Sequence, residues 1–249
     1  MRRGAGDRDS RDARSRIREE RQRATRRGRR EGRVARRSQL ETDDHTRERL
    51  LNVAERLFAD RGFKDVTVRE ICREARANVA AVNYYFGDKF ALYRDVLQSA
   101  IDRMRATNEA ARLAGEGQPP EEQLRRYVSI FTHRLFADRS HTVHRLITRE
   151  MNDPTPALDA LIEQGVRPRM EFLSTLIAGI IGCDAEDLRV KRCVASVWTQ
   201  PFAYVPNPIA ERLGRPADQT PAAIEAIAQH IADFSIAGIR AIGKGSRAR

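Results

Sequence analysis

Val66-Thr67-Val68-Arg69-Glu70-Ile71-Cys72, then Asn78-Val79-Ala80-Ala81-Val82-Asn83-Tyr84-Tyr85-Phe86 and Gly87-Asp88-Lys89, is the stretch whose reading decides the fold. Thr67 and Glu70 stand at capping-box spacing. The hydroxyl can accept the Glu70 amide while the carboxylate reaches back to the Thr67 amide. Val66 and Ile71 flank the box as a hydrophobic staple, so a helix starts at Val68 and ends near Ala75. Asn78 is a good N-cap for a second short helix. In that helix Val82 and Phe86 are four apart and face inward. Ala80, Ala81, Asn83, Tyr84 and Tyr85 are left on or beside the outer face. Two short helices joined by a tight turn, the second with a small, polar, aromatic outer face, make a helix-turn-helix.

That outer face has the chemistry to enter a DNA groove. Alanines at 80 and 81 let a backbone approach closely, and their methyls can meet a thymine methyl. Asn83 can bond a base edge or a phosphate, and the Tyr84 and Tyr85 hydroxyls can hold phosphates. Thr67 and Arg69 can hold a phosphate across the groove. Asp88 caps the next helix, whose free amides and Lys89 present positive charge. The plainer reading makes Tyr84, Tyr85 and Phe86 core aromatics and Lys89 a solvated lysine. Phe86 is taken as core, but two adjacent helix positions cannot both face one core, so Tyr84 and Tyr85 are not both buried.

Outward from this stretch the pattern stays helical. Leu50, Val53, Ala54, Leu57 and Phe58 form one stripe, stopped by Gly62. Apolar residues recur at helical spacing to the end, with no sustained alternation of period two, so the fold class is all-α. The predicted helices run roughly Asp43–Arg61, Val68–Glu74, Val79–Tyr85, Lys89–Arg112, Glu121–Ala137, His141–Met151, Pro156–Gly179, Ala185–Pro201 and Ala222–Ile242. Gly and Pro mark the breaks, including Gly115–Pro120 and Val205–Pro221.

The chain has 249 residues and a formal charge of +11. Residues 1–40 hold 16 arginines against six acidic residues, a net of +10, so the other 209 residues carry +1. This segment has almost no large apolar residues and is expected to be a disordered arginine-rich tail. Either it adds sequence-independent attraction for phosphates or it is a solubilising leader. Residues 41–88 form the expected DNA-binding domain, 89–243 a helical regulatory and dimerisation domain, and 244–249 a disordered end. The longest apolar run, Leu176–Cys183, is far short of the roughly 20 residues that span a bilayer. No apolar stretch follows the arginines, so no secretory signal is read. The three cysteines lack paired spacing and fit a reducing cytoplasm.

The residues quoted first, through Phe90-Ala91-Leu92, resemble the DNA-binding domain of the TetR family of transcriptional regulators. The pattern is a capped short helix, a turn, an aromatic pair followed by Phe, and a Lys three residues later. The resemblance implies base reading by Asn78, Val79, Ala80, Ala81 and Asn83, and phosphate contacts at Thr67, Tyr84, Tyr85 and Lys89. Arg69 joins them from the reading above. The family usually has Gly in the turn, where this chain has Arg76. A left-handed backbone there costs Arg roughly 1 kcal/mol. Either the turn is reshaped or Arg76 makes a phosphate contact that offsets the strain. Residues 41–100 carry ten basic and eleven acidic side chains, so the basic ones must be sorted onto one face.

Further on, Leu146-Ile147-Thr148-Arg149-Glu150-Met151, Pro154-Thr155-Pro156-Ala157-Leu158 and Val190–Gln200 resemble the CecR-type branch of that family. In the last helix Ile224, Ile227, Ile231, Phe234, Gly238 and Ala241 alternate at three and four, a heptad seam. Ile236, Ile239 and Ile242 add a second apolar edge. One edge for the chain's own core and one for a second copy fit a homodimeric four-helix bundle with the neighbouring helix. The alternative is that both edges are buried in one monomer. The family expectation is an effector cavity enclosed by the fourth to eighth helices. Candidates at inward spacing are Phe131, Leu135, Leu146, Phe172, Leu176 and Trp198, with His133, Arg149, Glu150 and Gln200 as polar orienters. For each apolar residue the competing reading is core.

No cofactor is expected. His141 and His144 are three apart, but two ligands do not make a metal site. No nucleophile elbow, phosphate loop or His-Glu-x-x-His is present, so no enzyme is read. The expected function is a cytoplasmic, ligand-responsive repressor that binds a palindromic double-stranded DNA operator as a homodimer, with no membrane partner and an unknown small-molecule effector. The rival readings are an activator or dual regulator, an architectural DNA-bending protein with little sequence choice, and an enzyme on a helical scaffold.

Overall fold

The computed structural model describes residues 45–138, 141–214 and 218–245. The arginine-rich segment 1–40 and residues 246–249 lie outside the described residues. Every regular element among the described residues is helical. They are α1 (45–61), α2 (Val68–Ala75), α3 (Val79–Phe86), α4 (Lys89–Ala114), α5 (Pro120–Ala137), α6 (Thr142–Asn152), α7 (Leu158–Leu161), α8 (Arg167–Ile181), α9 (Leu188–Thr199), α10 (Pro208–Arg212) and α11 (Pro221–Gly245).

The capping box that starts α2 is formed. The Thr67 side chain accepts the Glu70 amide, and the Thr67 amide donates to Glu70 Oε2 at 2.8 Å. Asn78 caps α3 through the Ala80 amide, and Asp88 caps α4 through the Ala91 amide at 2.7 Å. The turn after α2 is not reshaped around its arginine. Arg76 takes the left-handed conformation, φ 51° and ψ 48°. The Ala77 amide then reaches the Cys72 carbonyl at 2.9 Å, the closing bond of a Schellman turn.

Two large apolar cores and a small cluster of Ile101, Met104 and Leu161 all draw on α4. The first half of α4 gives Leu92, Tyr93 and Val96 to a core with Leu50, Phe58, Val66, Ile71 and Val82. Phe63 is drawn into it, 5.0 Å from the Tyr93 ring and 5.8 Å from Phe90. Leu146 of α6 and Ala157 also belong to this core, so it borrows residues from the regulatory half. The second half of α4 runs beside α5, which packs on α8 and α11. Leu124, Tyr127, Leu173, Ile177, Val190 and Ile231 fill that second core.

Two predicted spans differ. The single helix expected over Pro156–Gly179 is α7, a π-type turn at Ile162–Val166, and α8. Pro168 has no amide to donate to the fourth residue back, so the ladder shifts register. Gly165 sits against Met104, where a Cβ would come within 3.1 Å of Sδ. The expected loop Val205–Pro221 contains α10, started by Asn207 capping Ile209 and Ala210 ahead of a proline at the first helical position.

The last helix sorts its seam differently from the heptad reading. Ile224, Ile231, Ile236 and Ile239 are all buried in the chain's own core. The open face carries Phe234, 65% exposed, with Ala237, Gly238, Ala241 and Ile242. The heptad positions thus divide between the buried and the open face of α11.

Replacing Thr67 with Ala should cost about 1 kcal/mol in urea unfolding, and Thr67→Ser should restore most of it. Glu70 is held down at about 2 by the Thr67 amide first and then by Arg61. Its contribution is therefore complete above the ordinary value of 4.5 and is lost as pH falls from there towards 2. Between those limits the Glu70→Gln variant should lose less stability than the parent, measured as the shift in urea midpoint.

Candidate nucleic-acid interface and effector cavity

The exposed side of α3 gathers the residues assigned to DNA. Asn78, Val79, Ala80, Asn83 and Tyr84 are exposed, and Tyr84 is 77% exposed. Ala81 is half-buried against the core, so Ala80 is the more open of the two alanines. Tyr85 is half-buried, its ring edge-on to Tyr84 at 4.9 Å between centroids. Val82 is fully buried, and Phe86 packs against the core beneath the Arg47 guanidinium. Asn78 spends its side-chain oxygen on the helix cap, which leaves its amide nitrogen to reach outward.

Thr67 and Arg69 are exposed at the start of α2 on the same end of the domain. Lys89 is half-buried. Its ammonium lies 4.4 Å from the centre of the Phe63 ring and 3.5 Å from the Lys64 carbonyl. Burial lowers its pKa. Part of its donor capacity is therefore spent within the domain. Arg73 and Arg76 extend the exposed cationic edge of α2.

A second set of contacts ties the regulatory half to α1. Arg145 pairs with Asp60 at 2.6 Å, and the Arg149 guanidinium donates to the Ala59 and Asp60 carbonyls at the end of α1. These carbonyls are left without intrahelical partners by the helix end, so the arginine satisfies them. Glu150 is 1% exposed and accepts from the Tyr93 hydroxyl and from the Thr155 amide and hydroxyl. Burial and the bond to Glu150 raise the Tyr93 pKa, so its proton stays in place as a donor. Arg149 thus reaches α1 and Glu150 reaches α4, and neither lines the apolar cavity described next, although Arg149 lies along a neighbouring pocket with His144 and Arg145.

The regulatory half contains a cavity of about 520 Å³ bounded by α4, α5, α6, α8 and the 3-10 turn Gln200–Tyr204. Of the residues expected to line it, Phe131 and Leu135 do. The others sit elsewhere. Leu146 is in the DNA-binding core; Phe172 and Leu176 belong to the second core. His133 reaches Glu225 of α11 at 2.8 Å, and Gln200 bonds Ser235 at 2.9 Å. Trp198 stands edge-on to Phe202, 6.2 Å between ring centres, rather than in the lining itself. Inward spacing alone did not separate cavity from core, because α5 and α8 each give residues to both.

The lining residues that spacing missed are mostly polar. They include Arg103, Thr107, Arg134, His141, His144 and Arg169. His141 is left-handed, φ 49°, with its Nδ1 3.0 Å from the Leu135 carbonyl. His144 stacks on Phe202 at 4.4 Å, and burial, with His141 nearby, lowers its pKa, which leaves it neutral near pH 7. Among the described residues no cluster of three or more metal-ligating side chains is present. No described helix is long and apolar enough to cross a membrane.

Comparison with known proteins accords with this arrangement. Residues 50–96 match the family described as bacterial regulatory proteins, tetR family. Residues 120–239 match the C-terminal domain of the HTH-type transcriptional dual regulator CecR. The CecR protein of Shigella flexneri is 31% identical over 156 residues, 59% of this chain and 70% of that protein. The fold is similar to that of a TetR-like regulator from Rhodococcus sp. RHA1, with a TM-score of 0.57, 20% identity, and coverage of 78% of this chain and 95% of that one. It is also similar to a TetR-family regulator from Streptomyces coelicolor, with a TM-score of 0.56, 18% identity, and coverage of 79% and 95%. The capped helix-turn-helix, the second helical core and the relationship to CecR together establish that this chain belongs to the TetR family of DNA-binding transcriptional regulators and carries a CecR-type C-terminal domain.

Proposed function

We propose that the protein is a cytoplasmic, ligand-responsive repressor that binds a pseudo-palindromic operator as a homodimer. The observation that carries this reading is the exposed face of α3, where Val79, Ala80, Asn83 and Tyr84 stand clear of a helix anchored by Val82. A helix with small residues at its start and a phenol at its end has the shape to lie in a major groove, with bases under the first turn and a phosphate at the last. Thr67, Arg69, Asn78, Ala81, Tyr85 and Lys89 complete the proposed contact surface. Arg76 supplies a further phosphate contact, which accounts for a left-handed arginine in the turn.

A second copy is the occupant proposed for the open face of α11. Phe234 is exposed there beside Gly238, where an added Cβ would meet nothing within 4 Å. A small-residue groove next to a large apolar knob on one helix is self-complementary under a two-fold axis. The two-fold axis in turn gives the operator its symmetry. The effector would act by binding the 520 Å³ cavity with different affinity in the two dimer conformations.

Selection from random or genomic DNA with the purified protein should return a palindromic consensus; uniform enrichment would instead favour an architectural protein. On the selected site, Tyr84→Phe should weaken binding by about fivefold, the loss of one phosphate hydrogen bond, without changing the preferred sequence. Arg76→Gly should do the same while raising thermal stability, because the strain is relieved as the contact is lost. Phe234→Glu should give a monomer by sedimentation and lower operator affinity by about tenfold or more, since two linked half-site contacts become one.

A further inference from the structure

We propose that the cavity takes a small organic anion, with an oxyanion held by Arg169 and an aromatic or apolar body lying against Phe131 and Phe202. This rests on the reading of the protein as ligand-responsive and names the chemistry of its ligand. Arg169 is 4% exposed, lines the cavity, and has no carboxylate paired with it among the described residues. Its Nε has no hydrogen-bond partner, and its guanidinium lies 4.7 Å from the centre of the Phe131 ring. A cation–π contact offsets only part of the cost of burying a charge. An arginine retained in such a place has donors to spare for an acceptor that is not part of the chain.

The surroundings favour the same sign. Among the described lining residues, Arg103, Arg134 and Arg169 stand against one carboxylate, that of Asp138. That carboxylate already accepts the Thr142 amide at 2.8 Å, at the start of α6. Arg103 is paired with Glu55, and Arg134 donates to the Thr107 hydroxyl at 3.3 Å, so Arg169 is the buried cation left without an oxygen acceptor. His141 adds the complementary group. Its Nδ1 faces a carbonyl and therefore carries the proton, which leaves Nε2 as an acceptor, buried and without a partner. The site thus offers a buried donor for an oxyanion and a buried acceptor for a hydroxyl or N–H. Its volume suits one drug-sized molecule.

The test uses two probes of one shape, 1-anilinonaphthalene-8-sulfonate and its uncharged relative N-phenyl-1-naphthylamine. Both are read by energy transfer from Trp198, the only tryptophan, which stands next to Phe202. Titrations of the full chain run in salt on the order of 0.3 M, where attraction to exposed arginines is screened. The sulfonate should bind more tightly than the neutral probe by about tenfold or more, and Arg169→Met should remove that advantage while leaving the neutral probe unchanged. Equal affinity of the two probes for the parent protein, which needs no variant to fold, would overturn the proposal. So would an undiminished preference in a folded Arg169→Met variant. Binding of the neutral probe alone overturns the anion assignment yet leaves a ligand cavity standing. Binding of neither overturns the proposal, while operator selection continues to judge the DNA-binding reading separately.

Discussion

The buried Glu150 carboxylate holds the two halves of this protein in register. It belongs to α6, yet its partners are Tyr93 on α4 and Thr155 beyond the end of its own helix. A carboxylate with 1% exposure must be supplied with donors, and here three polar hydrogens do so without a cation. Removing one donor would leave an unsatisfied charge in an apolar setting, a much larger loss than any surface pair in the chain can cause. Tyr93 is also an aromatic centre of the DNA-binding core, 4.9 Å from Phe58 and 5.0 Å from Phe63. One hydrogen-bonded node therefore fixes α6, α4 and α1 together. The helix α3, packed on α4 through Val82, inherits that position.

The sequence was most legible where local chemistry decides. Thr67 and Glu70, Asn78 and Asp88 could be read as caps because a cap depends on residues two or three apart, and all three caps are formed. The exposed tyrosine and the buried valine of α3 followed from helical spacing. The left-handed turn at Arg76 could be posed as a question from sequence, and the backbone answers it without needing a glycine. Legibility failed where long-range packing decides. Leu146 and Leu135 both look inward-facing, but α6 turns the first towards the DNA-binding core while α5 turns the second towards the cavity. No local signal carries that choice.

The cavity exposes a related blind spot. Searching for a ligand site by apolar spacing selects core residues, because cores are larger than cavities and use the same side chains. What marks this cavity is the reverse, polar groups at positions where an apolar residue would pack better. Arg169 follows a proline in a helix that is otherwise apolar on that side, and His141 sits at a left-handed position in a connection between helices. The charge of Arg169 does not stand out in the sequence, because Arg167 and Glu171 lie two residues to either side of it.

The same geometry indicates how occupancy could reach the DNA. The helix α6 spans eleven residues, roughly 16 Å at 1.5 Å per residue. His144 and Ile147, from its first half, line the cavity, while Arg145 and Arg149 grip the end of α1. Arg145 lies between the two cavity residues, so the cavity and α1 meet different faces of the same stretch of α6, and a displacement of that stretch is felt at both. The grip itself is adjustable. It consists of one exposed ion pair and hydrogen bonds to terminal carbonyls, each worth little singly and each remade after a small slide. The buried Glu150 node is not adjustable in that way. Glu150 stands near the C-terminal end of α6, so the cavity residues and both arginines lie on the same side of that fixed point. A ligand that displaced the cavity face of α6 would therefore act on the arginines that hold α1, and through α1 on the core that seats α3.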